Sequence, residues 1–472
     1  MGRAAHHRSR RAVPVPITDD DLVARLRTQR GPEVDGLERA LRSPSPVSIR
    51  VNTTKWSGPA AARIPWCATG HYLEERPSFT FDPLFHAGAY YVQEASSMAL
   101  EQAVKASGLG GERIVALDLC AAPGGKSTHL RSLLHPDALL VSNEIEPKRQ
   151  RILVENLWKW GAANTVVSGA APEKLARLPE FFDLVVVDAP CSGEGMFRKD
   201  GFARTQWSEG LVRQCNTTQS HILQHAWDGL KPGGLLIYST CTWETSENET
   251  QVAQLLAKGG RCVPIPSDPA WGMIRSTREG VDALRCYPHL LQGEGFFIAL
   301  VQKNGDRVPS PSYAVDPDRS HAGGGLEWLR PTHRWVVMDH GEERFAVDGT
   351  WSRMVERLHG LLPVLSSGTP LGERKADSWR PHAALALSQD LDRTAFQQVA
   401  LNHDQAIAYL RGNSILASQA QGAALAMYQG IPIGWLQGAG NRWNNRWPSS
   451  WRIRVQQPGA PFVSWKRNTD SP

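Results

Sequence analysis

The chain contains the segment Leu184-Val-Val-Val-Asp188-Ala-Pro-Cys191-Ser-Gly-Glu-Gly195. Four apolar residues, three of them β-branched, lead directly into polar residues and glycines, which is typical of a buried parallel strand that ends in a loop. Ligands of open α/β sheets bind at the carboxyl ends of such strands. We therefore expect Asp188 and Cys191 to face a ligand. Taken alone, an aspartate and a cysteine at these positions would more often be a helix cap and a buried structural thiol. Three other segments of the chain favour the ligand-binding interpretation.

The composition is that of an ordinary globular protein with several domains. The 472 residues exceed the size of a single hydrophobic core, so roughly two to four domains are expected. Hydrophobic residues make up 41% of the chain and charged residues 21%. Because the net charge is only +5, any surface that binds a polyanion must be local.

Cysteine usage and hydropathy predict the compartment. The seven cysteines form no Cys-x-x-Cys pair and no cluster with histidine at metal-ligand spacing. We expect free thiols in a reducing cytoplasm, with no disulfide framework and no metal. No apolar run reaches membrane-spanning length, and no apolar signal segment follows the basic start of the chain. The sequence therefore predicts a cytoplasmic protein without a membrane partner.

Changes in composition divide the chain into six predicted segments. Strands and helices alternate from about residue 113, and a stretch rich in Pro, Ser, Asp and Gly interrupts the pattern after residue 303. The segments are a basic flexible arm (residues 1–16), a small N-terminal α+β module (17–90), a main domain (91–303), a linker (304–325), a mixed accessory module (326–398) and a β-rich domain (399–472).

The main domain is predicted to be α/β. Apolar runs predict strands at residues 114–119, 139–143, 165–168, 184–188, 235–239 and 296–301. Amphipathic stretches predict helices at residues 147–160 and 206–230. Strands that alternate with helices of this length favour a mostly parallel, doubly wound sheet.

A loop of small residues, Asp118-Leu-Cys-Ala-Ala-Pro-Gly-Gly-Lys126, follows the first of these strands and opens a helix. A phosphate-binding P-loop is excluded because Cys120 stands where that motif needs glycine, and the dinucleotide pattern Gly-x-Gly-x-x-Gly is absent. Glu144 ends the second strand, where an acid can bind both hydroxyls of a ribose. We therefore expect a nucleoside-type cofactor here.

A second cysteine follows a neighbouring strand in Leu235-Leu-Ile-Tyr-Ser-Thr-Cys241-Thr. Free cysteines are often buried structural thiols, so two such thiols at strand ends are one alternative. Two thiols beside an aspartate, a lysine and a ribose site favour catalysis instead. We expect Cys191 and Cys241 to face one pocket.

Together these motifs resemble the RNA (cytosine-5) methyltransferases of the Sun family, and within it the bacterial enzymes that act on small-subunit (16S) ribosomal RNA. The resemblance is dense from about residue 48 to residue 303 and continues into Ala439-Gly-Asn-Arg-Trp443, which is similar to the PUA-like domain of that branch. Further matching segments are Arg50-Val-Asn-Thr53, Tyr90-Tyr-Val-Gln-Glu-Ala-Ser-Ser97 and Gly193-Glu-Gly-Met-Phe-Arg-Lys199.

The resemblance implies a Rossmann-like class I fold that binds S-adenosylmethionine, an N-terminal module that binds RNA and a C-terminal PUA-like domain. Members of the family often carry an aspartate after the third strand, near the adenine. This chain reads Ser168-Gly-Ala-Ala-Pro-Glu173 there, so we expect backbone contacts to the adenine. The implied cofactor residues are Cys120, Ala121, Ala122, Pro123, Gly124, Gly125, Lys126, Glu144, Arg149 and Asp188.

The family pattern also implies the catalytic roles. Cys241 would be the nucleophile that adds to carbon-6 of cytosine, and Cys191 would help to resolve the covalent adduct. Asp188 would hold the Watson–Crick edge of the base, with Lys126 beside it to balance charge. DNA cytosine-5 enzymes use the cysteine of the Pro-Cys pair instead, so the presence of Cys241 favours the RNA class.

Three functions stay open at this point: methylation of ribosomal RNA, the same chemistry on transfer RNA, and RNA binding without catalysis in ribosome assembly. The intact cysteines argue against the third, and the C-terminal segments favour the first. The expected partner is RNA, either free or in the assembled small ribosomal subunit, and the expected state is a monomer.

Tryptophans and cations are interleaved near the end of the chain. Tryptophan at such spacing is often the core of a small β domain, whereas Arg and Lys supply phosphate attraction. We expect most of the tryptophans to be buried and most of the cations to contact RNA. The residues are Trp435, Trp443, Trp447, Trp451 and Trp465, with Arg442, Arg446, Arg452, Arg454, Lys466 and Arg467.

Overall fold

The computed structural model describes residues 17–309, 325–341, 343–375, 378–462 and 465. The predicted arm (1–16), most of the predicted linker, and the cations Lys466 and Arg467 lie outside these residues. In the described part of the chain, no helix is both long and apolar enough to cross a membrane.

The N-terminal segment combines short helices with a three-stranded antiparallel sheet in the order β2-β1-β3. Its first helix begins after Thr18, whose hydroxyl oxygen accepts the Asp21 N–H at 3.1 Å. Three acidic residues in the first turn interact favourably with the helix dipole. The elements are α1 (Asp19–Arg30), α2 (Leu37–Leu41), β1 (Val47–Val51), β2 (Gly70–Leu73), α3 (Pro83–His86) and β3 (Tyr90–Val92).

The main domain follows. Its elements are α4 (Leu100–Ser107), β4 (Val115–Asp118), α5 (Gly125–Leu133), β5 (Leu139–Asn143), α6 (Pro147–Trp160), β6 (Thr165–Ser168), β7 (Phe182–Asp188), α7 (Gly201–Gln206), α8 (Glu209–Gly229), β8 (Leu230–Thr240), α9 (Glu249–Ala257), β9 (Gly260–Cys262), β10 (Ile274–Ser276), β11 (Ala283–Cys286) and β12 (Phe296–Lys303).

Strands β8-β7-β4-β5-β6 form a parallel core in that order, and antiparallel strands extend the sheet at both edges. Successive residues of β7 pack into different apolar clusters, Val185 and Val187 on one face and Leu184 and Val186 on the other. A strand covered on both faces favours apolar side chains, which explains the apolar run from Leu184 to Val187. The predicted fold class is confirmed.

The predicted strands all exist, with ends that differ by up to five residues. Strands β5 and β6 and helix α6 have the predicted bounds. The helix predicted at 206–230 is wrong at its start, because α7 ends at Gln206 and α8 begins at Glu209. Ser208 separates them: its hydroxyl oxygen accepts the Leu211 N–H at 3.1 Å and caps α8.

Residues 326–398 contain well-defined strands and a helix, where the sequence predicted only a mixed module without defined elements. Strands β13 (Trp335–His340), β14 (Glu343–Asp348), β16 (Thr369–Lys375) and β17 (Ser378–Pro381) form one sheet beside helix α10 (Ser352–Leu361). Strand β15 (Val364–Ser367) instead pairs antiparallel with β6 and extends the sheet of the main domain. This accessory segment is therefore built into the edge of the main domain.

The C-terminal segment is β-rich as predicted. Its elements are β18 (Gln397–Ala400), α11 (His403–Leu410), β19 (Ile415–Ala420), β20 (Ala423–Tyr428), β21 (Ile431–Gly438) and β22 (Gly440–Asn445), with the sheet order β18-β20-β21-β22-β19. One apolar cluster joins Ile433, Trp443 and Trp447 of this segment to Ile49 and Tyr90 of the N-terminal segment. The two ends of the described chain therefore share a core.

A buried ion cluster fastens α1 to the main domain. Arg30 donates to both carboxylate oxygens of Glu249 at 3.1 and 2.8 Å, and Arg285 donates to the same carboxylate at 2.8 Å. All three side chains are inaccessible to solvent. Burial by itself raises the pKa of Glu249, but Arg285 and Arg30 outweigh it and hold the pKa at about 2.

We expect Glu249→Gln to lower the free energy of unfolding by about 3–5 kcal/mol, because two buried guanidinium groups lose their counter-charge. The stabilisation should be complete above the ordinary carboxyl pKa of 4.5 and be lost as pH falls towards about 2. Urea unfolding at several pH values measures both effects. Glu209→Gln removes the exposed pair with Arg213 and should change stability by less than about 0.5 kcal/mol. Equal effects of the two variants would contradict the role of the cluster.

Candidate functional site

Strands β7 and β8 bring the two predicted cysteines together. Their parallel register pairs Asp188 with Ser239, so the loops that follow leave the same edge of the sheet. The sulfur atoms of Cys191 and Cys241 are 3.3 Å apart, and both residues are half-buried. The two thiols therefore lie together at this edge of the sheet, and the pocket that they are expected to face stays a prediction.

An ion pair lies beside the thiols. The Lys126 Nζ is 2.7 Å from one oxygen of Asp188, and the Ser239 hydroxyl donates to the other at 2.8 Å. Burial by itself lowers the pKa of Lys126, but Asp188 outweighs it and the pKa is raised. Lys126 therefore stays charged and neutralises a carboxylate that can still accept hydrogen bonds from a ligand.

Glu247 stabilises the loop of Cys191 through hydrogen bonds. The sequence patterns did not identify this residue. One oxygen of Glu247 accepts the Ser192 N–H at 3.0 Å and the Gln219 side-chain N–H at 2.8 Å. Gln219 also donates to the Pro190 carbonyl at 2.9 Å. Burial raises the pKa of Glu247, and these donors compensate part of the cost of burying it. Glu247 thereby fixes the backbone on both sides of Cys191.

Glu194 joins the two cysteine loops and was also not identified as a site residue. One of its oxygens accepts from the Thr242 hydroxyl at 3.0 Å and from the Trp243 N–H at 3.1 Å. The other accepts from Arg25 of helix α1 at 2.9 Å. Burial raises the pKa of Glu194. The N-terminal segment therefore supports the two cysteine loops directly.

Close packing makes glycine necessary at position 195. The Gly195 N–H donates to the Cys241 carbonyl at 2.9 Å, and a Cβ at this position would lie 2.6 Å from the Gly295 carbonyl. A side chain would therefore push the loops apart.

The predicted cofactor loop turns sharply at the end of β4. Gly124 has a φ of +110°, which favours glycine, and α5 begins at the next residue. Asp118, fully buried, accepts from the Ser127 hydroxyl at 2.6 Å through one oxygen, while the other has no partner in the described structure. Burial raises the pKa of Asp118 to about 7.

The predicted ribose ligand lies at the end of the next strand. Glu144 is 4% exposed, and one of its oxygens accepts the Glu146 N–H at 2.9 Å. The other lies 3.3 Å from Arg149, which also donates to the Ala122 carbonyl. Arg149 thus links the two halves of the predicted cofactor site, although its side chain is 53% exposed.

Hydrogen bonds to neighbouring residues fix the backbone of the segment after β6, which is expected near the adenine. Asn143 accepts the Ala170 N–H at 2.8 Å, and the Gly169 N–H donates to the Pro363 carbonyl of the accessory segment at 2.9 Å. A Cβ at Gly169 would lie 2.6 Å from the Gln150 side chain. Backbone groups therefore dominate this edge, and adenine recognition through them stays a prediction.

Three family models match the chain. The model described as 16S rRNA methyltransferase RsmB/F matches residues 110–302, and the N-terminal domain of 16S rRNA methyltransferase RsmF matches residues 19–95. The methyltransferase RsmF PUA domain matches residues 396–453. All three matches fall in the described part of the chain.

Curated relatives match over nearly the whole length. The ribosomal RNA small subunit methyltransferase F of Erwinia tasmaniensis is 32% identical over 460 residues, covering 88% of this chain and 93% of the relative. The chain belongs to this methyltransferase F (RsmF) family. The relative of the same name from Citrobacter koseri is 30% identical and covers 93% of this chain and 94% of its own.

Solved structures show the fold expected of an RsmF-family chain. A methyltransferase homolog protein from Pyrococcus horikoshii is 29% identical with a TM-score of 0.50, covering 60% of this chain and 95% of that protein. NSun6 from the same organism, crystallised with SFG, has a TM-score of 0.51 and covers 60% of this chain and 98% of its own. At 22% identity the second shows the fold alone.

The RsmF-family site thus brings together every predicted catalytic side chain, while their roles stay predictions. Four supporting residues were not predicted: Glu194 within the Cys191 loop, and Glu247, Gln219 and Arg25 from other parts of the chain. The position of Glu194, three residues after Cys191, was the one signal available in the sequence. Nothing local distinguishes Arg25 or Gln219 from other helix residues.

We expect phenylarsine oxide, which bridges two adjacent thiols through one arsenic atom, to bind this pair. One arsenic atom can bridge two thiols only when their sulfurs lie close together, and the sulfurs of Cys191 and Cys241 are 3.3 Å apart. Mass spectrometry should show a single adduct that disappears in Cys191→Ala and in Cys241→Ala. Cys215→Ala, which removes a buried thiol, is the matched control. An adduct that survives both site variants would show that the two thiols are not held together in solution.

Proposed function

We propose that the protein transfers a methyl group from S-adenosylmethionine to carbon-5 of cytosine in 16S ribosomal RNA. The observation that carries this proposal is the pair of thiols 3.3 Å apart beside the Lys126–Asp188 ion pair, in a member of the RsmF family. Carbon-5 of cytosine is a poor nucleophile, and covalent addition of a thiolate to carbon-6 activates it. A methyltransferase that modified a nitrogen or a ribose would need neither thiol.

Cys241 is the proposed nucleophile and forms the bond to carbon-6. Asp188 accepts a hydrogen bond from the exocyclic amino group of cytosine, and Lys126 balances the charge of Asp188. Release is an elimination in which the carbon-5 proton passes to solvent and the Cys241–carbon-6 bond breaks. Cys191 assists by donating its S–H hydrogen to the Cys241 thiolate that leaves. The hydrogen bond to Cys241, together with burial, raises the pKa of Cys191, so Cys191 remains a protonated donor beside the nucleophile.

The residues at the ends of β4 and β5 fit the cofactor. S-adenosylmethionine supplies the electrophilic methyl group when bound. The partnerless oxygen of Asp118 is a buried acceptor at the amino-acid end of the proposed site. Glu144 offers its carboxylate to the ribose hydroxyls, and Arg149 fixes its orientation. The loop Cys120–Gly125 brings backbone close to the ligand without side chains that would obstruct it.

The C-terminal segment supports RNA as the substrate. Three of its tryptophans, Trp435, Trp443 and Trp447, are no more than 4% exposed, so they belong to the core. Arg442, Arg452 and Arg454 are exposed on the same segment. The division expected from the sequence, in which the rings pack and the arginines face outward, therefore agrees with the described side chains. Exposed arginines supply the phosphate attraction that RNA binding needs.

Bisulfite sequencing of cellular RNA with and without the protein tests the substrate. We expect one or more cytosines of 16S ribosomal RNA to resist conversion only when the protein is present. Resistance in transfer RNA alone would instead support the alternative substrate.

Cys241→Ala should abolish transfer of a tritiated methyl group while binding of S-adenosylhomocysteine stays within about twofold. Transfer by this variant would contradict the proposed nucleophile.

Trapping of a covalent protein–RNA complex distinguishes the roles of the two thiols. If Cys191 resolves the adduct, Cys191→Ala should accumulate a protein–RNA complex that survives denaturing electrophoresis. The double variant with Cys241→Ala should form none, since the bond to carbon-6 cannot form. A complex in the double variant would mean that the roles are misassigned.

We expect the triple variant Arg442→Ala, Arg452→Ala, Arg454→Ala to weaken RNA binding and its salt dependence. Each phosphate that is no longer neutralised should reduce the slope of log K against log salt by roughly 0.7–0.9. Fluorescence anisotropy at several salt concentrations measures this slope, and cofactor affinity serves as the internal control. A slope equal to that of the wild type would show that these arginines face only solvent.

A further inference from the structure

A polar groove of about 430 Å³ separates the N-terminal segment from the loop that follows Cys191. One wall consists of residues 45–48 and 92–94, and the other of Arg198, Lys199 and Glu294, with Arg76 at the rim. Its size lies in the range of sites that bind small ligands. None of these residues belongs to the proposed cytosine or cofactor site.

The walls of the groove adjoin the elements that carry the proposed reaction site. A Cβ at Gly125 would lie 3.3 Å from the Tyr91 ring and 3.9 Å from the side-chain amide carbon of Gln93. Gly125 precedes Lys126, so the Gln93 wall abuts the cofactor loop. On the other side, Glu294 precedes Gly295, which packs against Gly195 and the Cys241 loop.

Two polar atoms of the groove wall have no partner within the described chain. Gln93 is 7% exposed, and its side-chain oxygen accepts from the Arg50 Nε at 2.8 Å. A guanidinium only donates, so the oxygen must face Arg50 and the amide nitrogen must point away. That nitrogen is buried without an acceptor, and the buried Ser45 hydroxyl also lacks a partner. Buried polar groups are rarely left unpaired, and both of these are donors that a ligand in the groove would satisfy.

The charges of the groove favour an anion. Glu94 accepts the backbone N–H groups of Ser96, Ser97 and Glu294 at 2.8–2.9 Å, which stabilises its single negative charge. Glu294 pairs with Arg198 at 3.0 Å. Arg76 and Lys199 are exposed and have no carboxylate partner among the described residues. The charge that is left for a ligand is therefore positive.

We propose that this groove binds the ribonucleotide adjoining the target cytosine, so that RNA enters between the N-terminal segment and the Cys191 loop. This inference rests on the proposed function. The Gln93 amide and the Ser45 hydroxyl donate to oxygens of the base or ribose, and Arg76 and Lys199 contact the phosphates. Phosphate contacts position the strand, while contacts with an unpaired base or a 2′-hydroxyl recognise it as RNA.

The test exploits the fixed orientation of Gln93. Gln93→Glu keeps an oxygen facing Arg50 and removes the N–H donor, so we expect RNA affinity to fall roughly five- to tenfold. Anisotropy with a fragment of 16S ribosomal RNA measures this. Affinity for S-adenosylhomocysteine should stay unchanged, because Arg50 keeps its acceptor. A fall in cofactor affinity by the same factor would mean that Gln93 acts only as a structural tether, which overturns the inference.

A second variant changes exposed residues alone. Arg76→Ala with Lys199→Ala should reduce the slope of log K against log salt by roughly 0.7 for each phosphate that is no longer neutralised. Arg213→Ala, at a distant exposed position on α8, should leave the slope unchanged. RNA affinity and slope equal to the wild type in both the Gln93 and the double variant would exclude the groove from the RNA path. If the wild type itself methylates no cytosine, the proposed function fails instead.

Discussion

The parallel pairing of β7 with β8 is the constraint on which the proposed chemistry depends. Adjacent strands lie about 4.8 Å apart, and parallel strands present their carboxyl ends at one edge. The register pairs Asp188 with Ser239, so Cys191 and Cys241 follow at nearly equal distances along their loops. A slip of one residue would turn the side chains of one strand to the opposite face and separate the thiols. The apolar run on both strands prevents such a slip, because it would exchange the residues of the two cores.

The loops keep their shape through buried carboxylates that are costly to bury. Glu194 and Glu247 are each fully buried, and burial raises the pKa of both. Backbone and side-chain donors compensate for the lost hydration, so each acid becomes a fixed point for loop backbone. Glu247 holds the Cys191 loop, and Glu194 joins that loop to the Cys241 loop. A cysteine on an unsupported loop would be free to leave the reactive position.

Sequence patterns predicted the elements whose causes are local. Helix α6 has its predicted bounds because Pro147 starts it and Gly161 ends it with a φ of +84°. The sequence did not predict strand β15, because its partner β6 lies about two hundred residues earlier and the pairing leaves no local pattern. The same distinction holds in the site. Cys191 and Cys241 follow recognisable strands, whereas Arg25 is identified only by its contact with Glu194.

The N-terminal segment connects both ends of the proposed RNA path. Its Arg25 contacts Glu194 beneath the cysteine loops, and its Asp82 accepts from the Trp465 ring N–H at 2.8 Å. The Trp465 ring also packs against Trp56 at a centroid distance of 5.0 Å. Because the N-terminal segment shares a core with the C-terminal segment, the exposed arginines and the cysteine loops are held in one arrangement. RNA that binds such a preformed surface loses less free energy to ordering the protein. The buried tryptophans therefore serve the proposed RNA binding indirectly, by fixing where the arginines stand.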